Sequence, residues 1–252
     1  MSTKKKSTKL ASGIGAAVIA LAGLLFAGND DLRTTVTDHL GFGSQAAADP
    51  AVNQDGDYFT VVGAAHRDYD APVGEVAYCD LDGLSRATCA YGELTSTQRA
   101  AAKDRGRQDI SVNPAGWGHN AKVEIPALDG VDGSTDYHGY MYNRSHMVGD
   151  SLGGDPTLNN LVTGTRGQNV GSAGNKGGMA HTEVIARDYL DTRDGDACPL
   201  YYAATPNYEG SELLPRTVTV DIQSCDKSID ERVVVDNTAN GHTIDYANGS
   251  FK

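Results

Sequence analysis

The chain has 252 residues, with 21 Lys and Arg against 33 Asp and Glu, for a formal net charge of −12. At 39% hydrophobic and 21% charged residues it has the composition of a globular protein long enough to bury a core, which excludes wholesale disorder. The acidic balance excludes a protein that coats nucleic acid or anionic membrane by bulk charge, but not an enzyme that handles phosphates at one local site.

Lys4, Lys5, Lys6 and Lys9 precede an uncharged run of small and apolar residues from Ala11 to Gly28, the order of an export segment. The run is long for a signal-peptide core and short for a spanning helix, so residues 1–28 fit either a cleaved signal peptide or a membrane anchor. The lysines orient it with its basic end in the cytoplasm and the rest of the chain outside. Ala46-Ala47-Ala48 is small enough for cleavage but lies far from the apolar run. Residues 29–56, with their Gly-, Ala- and Asn-rich stretch over 41–56, read as a linker, and the folded domain spans 57–252.

Within that domain, Tyr58 to Val62 is β-branched and aromatic and predicts a strand. Gly74–Ala77 and Thr88–Tyr91 are further strand candidates around Cys79 and Cys89. Thr95 to Arg107 predicts a helix, with Thr95 or Ser96 as cap, Ala100 to Ala102 as strong formers and Gly106 near its end. Lys122–Ile125, Gly139–Tyr142 and Leu161–Thr163 predict short strands, and Gly178 to Leu190 a second helix. Leu200–Ala203, Arg216–Ile222 and Arg232–Val235 make the last third strand-rich. The order implies an α+β fold: a central antiparallel β-sheet with flanking helices. Cys79, Cys89, Cys198 and Cys225 are even in number and lack the paired spacing of a zinc knuckle. In an oxidising compartment they can form two disulfides. Of three connectivities, Cys79–Cys89 with Cys198–Cys225 is favoured because each pair encloses a plausible hairpin.

The chemistry concentrates in residues 140–190. An apolar strand runs into Arg144 and His146, which share a face because they stand two apart. Asn160-Leu161-Val162 and Asn169 follow, and Glu183 and Arg187 stand at i, i+4 on the predicted helix. Taken singly these residues are ordinary: a lone His is usually structural and an i, i+4 ion pair usually a surface feature. Together they supply what phosphodiester hydrolysis needs. A neutral imidazole can take a proton from water, guanidiniums can meet phosphorane charge, and an amide oxygen with a carboxylate can hold Mg²⁺ together with its waters.

The ordered set Asn143-Arg144-Ser145-His146, Asn160-Leu161-Val162, Asn169, and Glu183 with Arg187 resembles the DNA/RNA non-specific endonucleases of the ββα-metal superfamily. The likeness is greatest to the secreted streptococcal DNases and the nucleases that competent cocci use in DNA uptake. Many members carry Asp-Arg-Gly-His where this chain has Asn-Arg-Ser-His. That change leaves Arg and His in place and removes one charge. Pro114-Ala115-Gly116-Trp117 and the stretch His242 to Gly249, which contains Asp245-Tyr246, resemble further family segments, so the likeness covers about residues 57–252.

The resemblance implies a ββα-metal nuclease motif and a set of roles. His146 activates water, Asn169 binds Mg²⁺ (for which Mn²⁺ can substitute), and Glu183 holds the metal through water or ligates it weakly. Arg187 stabilises the phosphorane, Arg144 positions phosphate, and Asn160 orients His146 or the metal loop. The implied product ends are 5′-phosphate and 3′-hydroxyl, and the substrate is DNA or RNA. The implied location is secreted or on the outer face of the membrane, with membrane contact only through the N-terminal segment. No segment implies a protein partner. A zinc hydrolase is disfavoured because no His-Glu-x-x-His occurs. The remaining rival is a catalytically silent nucleic-acid-binding or adhesion module on the same scaffold. Lys103, Arg105 and Arg107 are either phosphate contacts or simple complements to a helix C-terminus. Arg144, Arg166, Lys176 and Arg187 balance Asp150, Asp155, Glu183 and Asp188, so the site region is neutral inside an anionic body.

Overall fold

Alternating burial explains most of the strands. In Thr217–Ser224, Val218, Val220 and Ile222 are fully buried on one face while Thr219, Asp221 and Gln223 point to the other. The computed structural model describes residues 56–193 and 196–252. The expected export segment and all of the expected linker except Gly56 lie outside the described residues.

In chain order the elements are β1 (Phe59–Gly63), β2 (Ala77–Tyr78), β3 (Ala90–Leu94), α1 (Ser96–Arg105), β4 (Lys122–Ile125), β5 (Tyr137–Tyr140), β6 (Tyr142–His146), β7 (Leu161–Thr165), α2 (Arg166–Val170), α3 (Met179–Asp191), β8 (Leu200–Asn207), β9 (Thr217–Ser224), β10 (Asp230–Asp236), β11 (Ile244–Asp245) and β12 (Ser250–Phe251). An antiparallel six-stranded sheet runs β1-β10-β9-β8-β3-β2, and the pairs β4-β5, β6-β7 and β11-β12 stand apart from it. The α+β class and central antiparallel sheet are as the sequence predicts.

The main core lies between that sheet and α3. Val218, Val220, Ile222, Val233, Val235 and Tyr202 meet Met179, Ala186 and Leu190 of α3, with Met147, Val148 and Leu152 from the loop after β6. On the opposite face Arg67 pairs with Glu93, and Arg232 Nε donates to Asp221 at 2.9 Å. The hairpin β6-β7 is thus anchored through Met147 and Val148. Strand β6 cannot shift without disturbing the core.

The expected strand over 139–142 is two strands broken at Met141. Met141 donates to the Ala121 carbonyl and accepts from the Arg166 amide, so the chain changes partner there from β4 to β7. Met141 itself is fully buried in a second core with Ile125, Tyr142, Leu214 and Tyr246. β2 is shorter than expected and β3 begins two residues later than the β-propensity of Thr88–Tyr91 implies. Helix α1 starts as predicted, the Thr95 hydroxyl accepting from the Gln98 amide at 3.2 Å, but stops at Arg105 rather than Arg107 because Gly106, at φ 73°, ends it. Both expected disulfides form, Cys79–Cys89 and Cys198–Cys225, with Cα atoms 5.1 and 5.4 Å apart.

Candidate active site

The site is assembled from the end of β6, the short helix α2, the first half of α3 and the segment after α1. In β6, Arg144 pairs across the hairpin with Thr163 and His146 with Leu161. Ser145 between them is fully buried, so its two neighbours point outward together. Helix α2, absent from the sequence-based expectation, starts at Thr165, whose hydroxyl caps the Gln168 amide at 2.9 Å. It presents Asn169, and α3 presents Glu183. His146, Asn169 and Glu183 line one cleft of about 360 Å³ together with Lys103, Arg107 and Asp150.

His146 is half-buried, and its Nε2 has no hydrogen-bond partner in the protein. Burial holds its pKa below the ordinary value of 6.5; the Asp150 carboxylate opposes that shift and the Arg107 guanidinium adds to it. The ring is therefore neutral at pH 7 with an acceptor free. Glu183 retains 19% of its side-chain surface and sits 3.5 Å from Arg187 Nη1. Its carboxyl is pushed up to about 7 by burial, an effect that Arg187 offsets only in part and Asp150 reinforces. A Cβ built on Gly149 would lie 2.8 Å from that carboxyl, so glycine is what allows the loop after β6 to close over Glu183.

Arg187 does not itself line the cleft. It stands behind Glu183 and Ser151, with Nη1 3.4 Å from the Ser151 hydroxyl. Arg144 faces the adjoining cleft. Its Nε and Nη2 donate to Asn113 Oδ1 at 2.9 and 2.7 Å, and its guanidinium lies 4.6 Å over the Trp117 ring. Asn160 is fully buried: Oδ1 accepts from the Val148 amide at 2.9 Å, and Nδ2 donates to the Val148 and Asp155 carbonyls. It fixes the loop that leaves His146 without touching the imidazole.

Three more residues shape the site, of which Asp150 and Asn113 had no local signature and Arg107 was a candidate phosphate contact. Arg107, exposed beyond the end of α1, reaches both clefts. Asp150 ties that segment down, accepting from Arg105 Nη2 at 2.8 Å and Gln108 Nε2 at 3.0 Å. Asn113 holds Arg144. Of the basic trio near α1, Lys103 and Arg107 face the cleft and Arg105 is spent on Asp150. His181, two residues before Glu183, is half-buried away from the cleft and stacks on Phe59 with ring centroids 3.7 Å apart.

Residues 67–226 match the family of DNA/RNA non-specific endonucleases. A deoxyribonuclease of Streptococcus dysgalactiae subsp. equisimilis is 31% identical over 245 residues, covering 77% of this chain and 72% of that protein. The chain belongs to the DNA/RNA non-specific endonuclease family. Among solved structures, Sda1 nuclease with bound zinc ion superposes with a TM-score of 0.72 at 32% identity, over 80% of this chain and 99% of that one. NucA from Streptococcus agalactiae with magnesium ion bound shares the fold, with a TM-score of 0.57 at 22% identity over 76% of this chain and 83% of NucA. The ββα arrangement of β6, β7 and α3 in this endonuclease is thus the family's, and the residues on it are this chain's own.

Proposed function

We propose that the protein is a secreted or surface-anchored, Mg²⁺-dependent endonuclease that hydrolyses phosphodiester bonds of DNA or RNA, with His146 as general base. The observation that carries this reading is the unpartnered, buried Nε2 of a neutral His146 on one cleft with Asn169 and Glu183. The streptococcal relative named a deoxyribonuclease supports DNA as substrate. The nuclease domain runs over 57–252, behind the segment 1–28 and the linker 29–56. Export is supported by the N-terminal lysines and by the two disulfides, which persist in oxidising compartments.

Asn169 and Glu183 suit one divalent cation, offering an amide oxygen and a carboxylate oxygen to the same cleft. Among the described residues no three His, Cys, Asp or Glu side chains gather as a metal cage. That oxygen-poor set fits Mg²⁺, which keeps several of its own waters, and equally Mn²⁺. Zinc and magnesium are the ions bound to Sda1 and NucA. When bound, the cation supplies positive charge to the phosphate oxygens.

The chain's own residues do the rest. His146 takes the proton from the attacking water, and burial keeps it ready for that at neutral pH. Arg144, fixed by Asn113 and Trp117, holds a phosphate of the substrate. Arg187 stabilises phosphorane charge from behind Glu183, and Asn160 keeps the loop after His146 in register. In-line attack leaves a 5′-phosphate and a 3′-hydroxyl.

Plasmid DNA incubated with Mg²⁺ or Mn²⁺ is expected to be degraded, and to stay intact in EDTA. Cleavage that persists in EDTA refutes the metal requirement. No cleavage with either cation would instead favour the silent binding or adhesion module. A second expectation concerns pH. Because burial favours the neutral imidazole, the acid limb of kcat/KM at saturating Mg²⁺ is expected to have its midpoint below 6.5. A midpoint above 6.5 counts against His146 as the base.

A further inference from the structure

A second cleft of about 590 Å³ adjoins the first and shares His146, Asn169 and Arg107 with it. The two are parts of one furrow that passes the end of β6. Their linings differ in charge. The α3 side carries Asp150 and Glu183 balanced by Lys103 and Arg107, whereas the second side carries Arg107 and Arg144 and no carboxylate among its lining residues. In a chain with a net charge of −12 this stretch is complementary to a polyanion.

Its wall is aromatic: Trp117, Tyr137, Tyr140 and Tyr142. Three of these rings have a cation nearby. The guanidiniums of Arg144 and Arg166 lie 4.6 and 5.0 Å from Trp117 and Tyr137, and Lys122 Nζ lies 5.8 Å from Tyr140. The Arg144 and Arg166 guanidiniums are held in place by Asn113 and by Asn175. Tyr137 lies across Gly139, where a Cβ would strike its ring, and its hydroxyl reaches the Tyr140 carbonyl at 3.4 Å.

Tyr140 stands out from this set. It is 54% exposed and joins neither hydrophobic core. Its strand β5 pairs only with β4, so no other strand among the described residues flanks it. An exposed ring on the rim of a cationic furrow has no packing role, but it offers a face to a planar group.

We propose that this wall is a stacking subsite in which Tyr140 receives an unpaired base of the substrate strand while Arg144, Arg107 and Arg166 track its phosphates. The inference rests on the endonuclease reading and specifies the form of substrate that the furrow accepts. Bases inside a duplex are stacked on each other and present no free face. The subsite therefore favours single-stranded or locally opened nucleic acid, and it is tolerant of sequence because every base has a π-face.

The test compares a thymidine oligonucleotide with an abasic oligonucleotide of the same length, both cut in Mg²⁺ by wild type, Tyr140→Ala and Tyr140→Phe. One base–aromatic stack is worth about tenfold or more in binding. Wild type is expected to show a KM about tenfold lower on the thymidine strand than on the abasic one. Tyr140→Ala is expected to raise KM on thymidine to the abasic value, while Tyr140→Phe retains the wild-type preference. A wild-type enzyme that cuts both strands with equal KM, or a Tyr140→Ala variant with unchanged KM on thymidine, overturns the stacking subsite and leaves the nuclease reading standing. A wild-type protein that degrades plasmid DNA but cuts neither strand overturns the subsite alone, and one that cuts neither strand nor plasmid overturns both. The wild-type comparison of the two strands needs no variant, so a misfolded mutant cannot mask the result.

Discussion

Replacing His146 by alanine is expected to lower kcat on plasmid DNA by about 10²–10⁴-fold, the range of a positioned general base, without loss of the folded state. The fold should survive because the imidazole Nε2 has no protein hydrogen bond to forfeit. Its strand is held independently, by the β6-β7 ladder, by buried Met147 and Val148, and by Asn160. Stability should even shift in the variant's favour in acid. A histidine whose folded pKa lies below its unfolded value binds a proton more readily when unfolded, so the wild type loses stability as pH falls below 6.5. The alanine variant lacks that penalty. Circular dichroism melts at neutral and acid pH, beside initial cleavage rates, check both halves. An alanine variant that cuts at the wild-type rate removes His146 from the mechanism.

Asn169→Ala is expected to raise the Mg²⁺ concentration for half-maximal activity by about 10–100-fold or more, with much of the rate restored at high Mg²⁺. Asn169 stands on α2 beside Gln168, whose amide the Thr165 hydroxyl caps, and helix propensity favours alanine at that position. The loss is therefore one of ligation rather than of structure. A Mg²⁺ titration of cleavage rate, fitted for half-saturation and plateau separately, distinguishes this from a defect in substrate binding. An unchanged half-saturation with a lowered plateau would place Asn169 on the substrate instead of the metal.

Much of the site was legible because its signals are local. Arg144 and His146 share a face because a strand has period two, and Glu183 lies beside Arg187 because a helix brings i and i+4 together. The helix over 96–105 was legible from its threonine cap and terminal glycine, and both cysteine pairs from the hairpins they enclose. Other features carried no such mark. Helix α2 is five residues of Arg, Gly, Gln, Asn and Val, too short for hydrophobic periodicity to register. The break at Met141 follows from a change of hydrogen-bond partner, which strand propensity does not encode. Arg187 pointed correctly toward Glu183, but its place behind the cleft depends on how α3 packs.

The acidic composition with which the chain presents itself has a similar division. The sequence by itself determined that the body is anionic, that residues 140–190 are neutral, and that the residues proposed for the site occur in an order resembling the family's. Those are properties of residue identity and near-neighbour spacing. Only the tertiary structure decided that Asp150 and Glu183 face one half of a furrow, Arg144 and the aromatic wall the other, and that Arg107 reaches both. That segregation joins the segment after α1, the Trp117 turn, β5 and β6, which are distant along the chain. It arises because burying Met141 and Met147 in two separate cores fixes the strand between them at the seam.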